Sequence, residues 1–228
     1  MLELLEKQRA AERAFVAEVA HLPAPPSGWP PALLMFHIAR WRERFRDSLR
    51  ELNDGRPVTG PPEDIDAFNE RELAEGATAT LSDTSARADR AFADVIDLWK
   101  EVGERPMTWY VARTTGDAVI RNSYHHPRIH ITEHLQQRGD RVSATRVLEE
   151  SAADLRRAEA LPHTLGAALY NLSLARVADG RHDEAIALLE EALRLRPEIR
   201  AGAAADLDLA PLRGDPRFQA MLSGPVRT

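Results

Sequence analysis

The sequence predicts an all-α protein, on three observations. Apolar residues recur three and four positions apart through most of the chain, no stretch alternates β-branched and polar residues as a half-buried strand would, and the interruptions fall on Pro and Gly. With 228 residues, 43% of them hydrophobic, the chain is long enough to bury a core without cross-links. It contains no cysteine, which excludes disulfides, Cys-ligated zinc, iron–sulfur clusters and a cysteine nucleophile.

Residues 2–22 place Leu2, Leu5, Phe15, Val19 and Leu22 at helical spacing with Glu, Lys and Arg between them, which predicts an amphipathic first helix. It stops at Pro23, because the run PAPPSGWPP supplies too few N–H groups and biases each residue before a proline away from the α region. A second helix starts near Pro31, proline being tolerated in a first turn, and runs through ALLMFHIARWRERFRDSLRELNDG to a C-cap at Gly55. RPVTGPPEDIDAFNE reads as a turn-rich connection with a short helical turn near Ile65–Phe68. The pattern Leu81, Ala88, Phe92, Val95, Ile96, Trp99 and Val102 is a third helix, and residues 103–118 form a broken segment carrying Met107, Trp109 and Tyr110. A fourth helix covers at least Arg128–Arg138 and ends at Gly139.

From Val142 onward alanine becomes frequent and aromatics nearly vanish, and helices are expected at 142–160, 164–179 and 182–196, separated by Pro162 and Gly180 and closed by Pro197. The segment ALYNLSLARVADGRHDEAIALLEEALRLRP resembles a tetratricopeptide repeat: Gly180, Ala185, Leu189, Ala192 and Pro197 fall at that motif's Gly, Ala, large apolar, Ala and Pro positions, with Leu169 and Leu172 at its first two apolar positions. Ser173 and Arg176 depart from it, standing where a small residue and an aromatic are usual. One repeat is too short for the concave groove of a repeat array, so a helical cap is the leading expectation and a partner-binding hairpin the second.

The formal charge is −6, with acids and bases interspersed, so no nucleic-acid footprint is expected. No signal-peptide core and no apolar run of membrane-spanning length occurs, which predicts a soluble, cytoplasmic protein with no membrane partner.

Four of the eight histidines, His125, His126, His130 and His134, lie within ten residues. His126/His130 and His130/His134 are both i, i+4 pairs, which on a helix share a face one turn apart and suit a divalent metal. His37, in the apolar stretch of the second helix, is the candidate third ligand. Spacing leaves His126 and His134 as rivals; His126 precedes Pro127, which is expected to hold it at the helix entrance outside the α region. The HExxH pattern is absent, which excludes a zincin-type protease.

Taken together, the amino-terminal helix, HIARWRERF, the DIDAFNE connection, the third amphipathic helix and HHPRIHITEHLQQRGD resemble the DinB-like helical-bundle superfamily, over residues 1–140. That superfamily includes bacterial thiol-dependent transferases and isomerases and small self-resistance proteins. The resemblance implies an up-down bundle followed by a repeat-like extension over 141–228, with the repeat at about 164–197. It implies that His37, His126 and His130 bind one divalent metal, zinc or nickel, in the bundle mouth. It departs from the family's usual HRG ending, here HITEHLQQRG, which keeps His134 in contention.

Three imidazoles leave positions open for water or a thiolate, the layout of a catalytic rather than a structural site. The resemblance implies metal-dependent attack on a small electrophile by water or, in the transferase branch, by a low-molecular-weight thiol such as mycothiol or bacillithiol, in a detoxification or resistance role. The thiol would be borrowed, since the chain has none. Trp41, Trp109 and Tyr124 are candidates to line the mouth, and Glu133 and Asp117 are candidate carboxylates beside it. The alternative is a non-catalytic scaffold whose C-terminal helices bind a protein partner. By analogy with other bundles bearing apolar helix faces, a homodimer is among the expected states.

Overall fold

The computed structural model describes residues 1–223, and among them helices alternate with short connections except for one β-hairpin. The chain divides into two compact units, Met1–Ala144 and Thr145–Thr228. No helix of the described residues is long and apolar enough to cross a membrane.

In the first unit, α1 (Leu2–Val19) buries Leu5, Phe15 and Val19 on one face, as its periodicity requires. α2 (Pro31–Asn53) is its central element. It opens on a proline at N1 and ends where Gly55 adopts φ 68°, the Arg56 N–H reaching back to the Glu51 carbonyl at 2.8 Å. It packs along α4 (Leu81–Val102) and also meets α3 (Ile65–Gly76) and α6 (His126–Gln137), so its apolar residues are buried on several sides. α4 starts at Thr80, whose hydroxyl accepts the Asp83 N–H at 3.1 Å.

Three elements differ from the sequence expectation. α3 is a full 12-residue helix, capped by Asp64 accepting from the Ala67 N–H at 2.9 Å, where only a short turn was expected. Residues Pro106–Trp109 (β1) and Ala112–Thr114 (β2) form an antiparallel hairpin where a broken segment without strands was expected. The fourth helix begins well before Arg128: α5 (Thr115–Val119), a π turn (Ile120–His125) and α6 form one continuous helical run, in which His126 has helical φ −58° and ψ −48°. The expectation that Pro127 would hold His126 outside the α region is thus corrected.

α7 (Arg141–Arg157) crosses the boundary between the units. The second unit continues with α8 (Pro162–Ala178), α9 (His182–Leu195), α10 (Arg200–Ala205) and α11 (Pro216–Ser223). α8 and α9 are a helical hairpin. Gly180, at φ 73°, ends α8 by letting the Arg181 N–H return to the Arg176 carbonyl at 2.8 Å. Ser173, Ala185, Leu189 and Ala192 are completely buried, small residues allowing close approach and Leu189 filling the space between.

Candidate metal centre

His37 projects from the most buried stretch of α2, with Phe36, Ile38 and Trp41 as neighbours. His126 and His130 project from the first turns of α6, and their aim depends on the π turn before them. The His126 N–H bonds to the Arg121 carbonyl, five residues back, which inserts one extra residue into the helical register. Pro127 has no N–H, so the Ser123 carbonyl four residues before it loses its ordinary intrahelical partner. The Arg42 guanidinium supplies the substitute, donating to that carbonyl at 3.1 Å.

Arg42 is itself completely buried and paired with Glu12 of α1, with Nη1 to Oε2 at 2.7 Å and Nη2 to Oε1 at 2.5 Å. Gln8 donates to the same carboxylate at 2.7 Å and accepts from Arg128 Nε at 2.7 Å. Asn122 adds a bond from its amide to the Trp41 carbonyl at 3.3 Å. A polar network from α1 and α2 therefore fixes both the wide turn and the helix that carries the two histidines.

The result is a cluster of three imidazoles, His37, His126 and His130, whose coordinating atoms all lie within 4.8 Å of one another. His126 Nε2 stands 3.2 Å from His37 Nε2 and 3.1 Å from His130 Nε2. Nitrogens bound at about 2.0–2.1 Å to one tetrahedral ion would be separated by roughly 3.3 Å, so the donor set fits a first-row divalent metal. His134 does not join them. Its ring stands edge-on to Phe15, with centroids 5.4 Å apart, and burial draws its pKa down. His125 is buried beside the cavity and is outside the trio as well.

The protonation state suits ligation. Burial, then the charge of His130, lowers His37 to about 3, and burial, then His130, His37 and Arg42, takes His126 well below the ordinary imidazole value. Both are neutral at physiological pH. His130 Nδ1 lies 2.9 Å from Glu133 Oε2, so the carboxylate can hold a proton on Nδ1 while Nε2 faces the other two rings. His37 Nδ1 is buried without a hydrogen-bond partner, and that ring is oriented by packing against Trp29 and Trp41, at centroid distances of 5.0 and 6.2 Å.

The trio opens into a cavity of about 300 Å³ lined by aromatic faces. Trp41 and Trp109 line it, as the sequence suggested; Tyr124 does not, being completely buried beneath the Arg128 guanidinium. Glu133 is the carboxylate that reaches the trio, whereas the Asp117 carboxylate accepts from the hydroxyl of Thr114, the residue that caps α5 by accepting the Asp117 N–H. The Trp41 indole N–H donates to Asn69 Oδ1 at 3.0 Å, which gives the DIDAFNE connection its place in the wall.

Trp29 and Arg121 were not singled out by sequence, and Tyr110 was named only as part of the broken segment. Trp29 covers the trio, 5.0 Å from the His37 ring and 5.4 Å from that of His130. It is carried by the Pro-rich run, which the end of α6 pins down: Arg138 Nη1 donates to the Pro23 carbonyl at 2.5 Å, and Gly28, at φ 80°, leaves no room for a Cβ beside Gln137. A lone tryptophan in a run of helix breakers was the available signal. Tyr110 sits at the hairpin turn with φ 53°, a left-handed conformation uncommon for a side chain of this size.

Compared with known proteins, the chain finds no match among family models, curated proteins or solved structures. Three imidazoles close enough to hold one metal ion, a carboxylate beside one of them and an aromatic cavity in front are what the site offers.

Proposed function

We propose that residues 1–144 form a DinB-like bundle that holds one divalent metal, zinc or nickel, on His37, His126 and His130 and catalyses attack of water or a low-molecular-weight thiol on a small electrophile. The observation that carries this reading is the convergence of three Nε2 atoms, 3.1 and 3.2 Å apart, at the inner end of an aromatic cavity. A divalent ion held there would lower the pKa of water toward roughly 7 or stabilise a thiolate at neutral pH. Glu133 keeps His130 in the Nδ1–H tautomer, Trp29 limits solvent access to the rings, and the Arg42–Glu12 pair holds the turn that aims His126.

The second unit, in this reading, is a tetratricopeptide-like extension whose core is satisfied internally. Arg176, at the position where that repeat usually has an aromatic, is buried and paired with Glu149 and Glu184.

Elemental analysis of the purified full chain tests the proposal. One zinc or nickel per chain is expected, with affinity reduced roughly a hundredfold or more in His130→Ala and unchanged in His134→Leu. A wild-type chain that takes up no stoichiometric metal removes the reading and passes it to the non-catalytic scaffold, whose partner would be sought on the C-terminal helices.

A further inference from the structure

Tyr110 occupies the first position of the two-residue loop between the paired Trp109 and Ala112, at φ 53°. Tight hairpin loops favour Gly or Asn where φ is positive, because a larger side chain is strained there. The turn itself does not require a tyrosine; the surroundings of its side chain give the reason for one. Trp109, the residue before it, is buried with its ring 5.0 Å from that of Phe45, which anchors the loop. The Tyr110 ring then stands edge-on to Trp109 and tilted against Trp41, both at 6.1 Å between centroids, and this half-buried side chain reaches the wall of the cavity in front of the trio.

Its hydroxyl makes no hydrogen bond within the described residues. Burial pushes its pKa up to about 12, against the opposing charges of Arg121 and Arg44, so the phenol is a hydrogen-bond donor at physiological pH. Asn69, on α3, supplies a second donor. The Trp41 indole N–H can only donate, so the amide oxygen of Asn69 faces it, at 3.0 Å, and the N–H₂ group is left for the cavity that Asn69 lines. Asn122, by contrast, has both ends engaged, its N–H₂ on the Trp41 carbonyl and its oxygen on the Ser123 hydroxyl. Trp41 links the two donors to the histidines: it bonds to Asn69, packs on the Tyr110 ring and lies 5.9 Å from the His126 ring, so a small molecule resting against the indole can reach both.

We propose that this cavity selects an uncharged small molecule with an apolar body and a carbonyl oxygen, and that Tyr110, together with Asn69, is the specificity-determining residue that reads that oxygen. Ring faces of Trp29 and Trp41 and the aliphatic Ile129 suit the apolar body, and a cavity of about 300 Å³ limits its size. Both donors are uncharged, which suffices for a neutral acceptor; an anion leaving water would need a fixed counter-charge as well. A hydrocarbon of the same shape would strip water from both donors and return no acceptor, so it is disfavoured. That the carbonyl is also the electrophile rests on the proposed metal function; its recognition does not. Addition of a nucleophile to the carbonyl carbon would move the C=O π pair onto the oxygen, the atom the two donors hold.

The probes are acetophenone and α-methylstyrene, in which a methylene group replaces the carbonyl oxygen. Each is titrated calorimetrically into the full chain as purified, with metal content measured on the same sample. Tyr110→Phe should lower the affinity for the ketone roughly fivefold and leave that for the hydrocarbon no weaker, since only the hydroxyl is lost. An unchanged ketone affinity in Tyr110→Phe, an equal loss for both probes, or no binding of the ketone to the wild type overturns the inference. A chain that holds no metal yet shows the Tyr110-dependent preference removes the proposed metal function and leaves this recognition standing. A metal-loaded chain in which Tyr110→Phe changes nothing does the reverse.

Discussion

In the first unit the interior holds His37, Arg42, Glu12 and Gln8 among its apolar residues, whereas the main core of the second is built from Val177, Ala185, Ile186, Leu189, Leu193, Leu209 and Phe218. The contrast extends to how buried polar groups are satisfied. In the second unit the Ser151 and Ser173 hydroxyls bond to carbonyls of their own helices, four and three residues away, and Arg176 is the buried cation that reaches across, to Glu149 and Glu184. In the first, the bonds join distant elements, Arg42 to Glu12, Arg128 to Gln8 and Asn122 to Trp41. A buried ion pair repays its desolvation poorly, and an apolar core of equal volume is often as stable. The second unit shows that this chain can build such a core. The polar interior of the first is therefore explained by what it positions, a wide helical turn and three imidazoles.

The comparison can be broken most directly at Glu12. Glu12→Ala leaves Arg42 buried without its carboxylate and should destabilise the first unit by about 3–5 kcal/mol in chemical denaturation. Metal uptake should weaken in parallel, because the Ser123 carbonyl loses its fixed donor. Leu189→Ala, in the apolar core of the second unit, should cost about 3 kcal/mol as a cavity and leave metal content at one per chain. Coupled loss of metal there would deny that the two interiors have separate tasks.

The pH dependence separates them further. His37 is held neutral down to about pH 3, while in the unfolded chain it protonates near 6.5. The unfolded state therefore binds more protons across that window. Stability of the metal-free chain is at its full value above about 6.5 and falls as pH drops, by roughly 2 kcal/mol between pH 6.5 and 5 from this one ring. His126 acts in the same direction. The variant His37→Gln should flatten that slope in denaturation measured across pH. The smallest effect is expected at Glu133, which is exposed: Glu133→Gln should weaken zinc binding about tenfold without changing stability, as read in a chelator competition.

The helices with strong apolar periodicity were legible in the sequence, α2 and α4 above all, because their partners lie along one face or surround them. α3 was read as a turn since its twelve residues bury only Glu72 and Gly76, which leaves no apolar stripe to detect. The hairpin was missed because strands of four and three residues are shorter than any alternation can establish. Among the histidines, spacing treats 126/130 and 130/134 alike, for a period of 3.6 places either pair on a common face. What distinguishes them is tertiary: the trio needs α2 to bring His37 opposite His126, while α1 brings Phe15 against His134. Trp29 was illegible as a wall of the site because the breakers around it report only that no helix forms, not that α6 pins the segment down.

The π turn at Ile120–His125 also sets how this site tolerates change in chain length. Insertions and deletions in a regular helix rotate everything beyond them by about 100° per residue. Here the extra residue is already present, and it is what keeps Arg121 and His126 in phase on one wall. Removing one residue between them would restore an ordinary helix in which the two stand four apart and still share a face, while shifting the helix before the turn relative to the histidines after it. The segment could thus become more regular in a single genetic step at the cost of the register between α5 and the histidines of α6, which makes the length of this turn, and not only its composition, part of the candidate site.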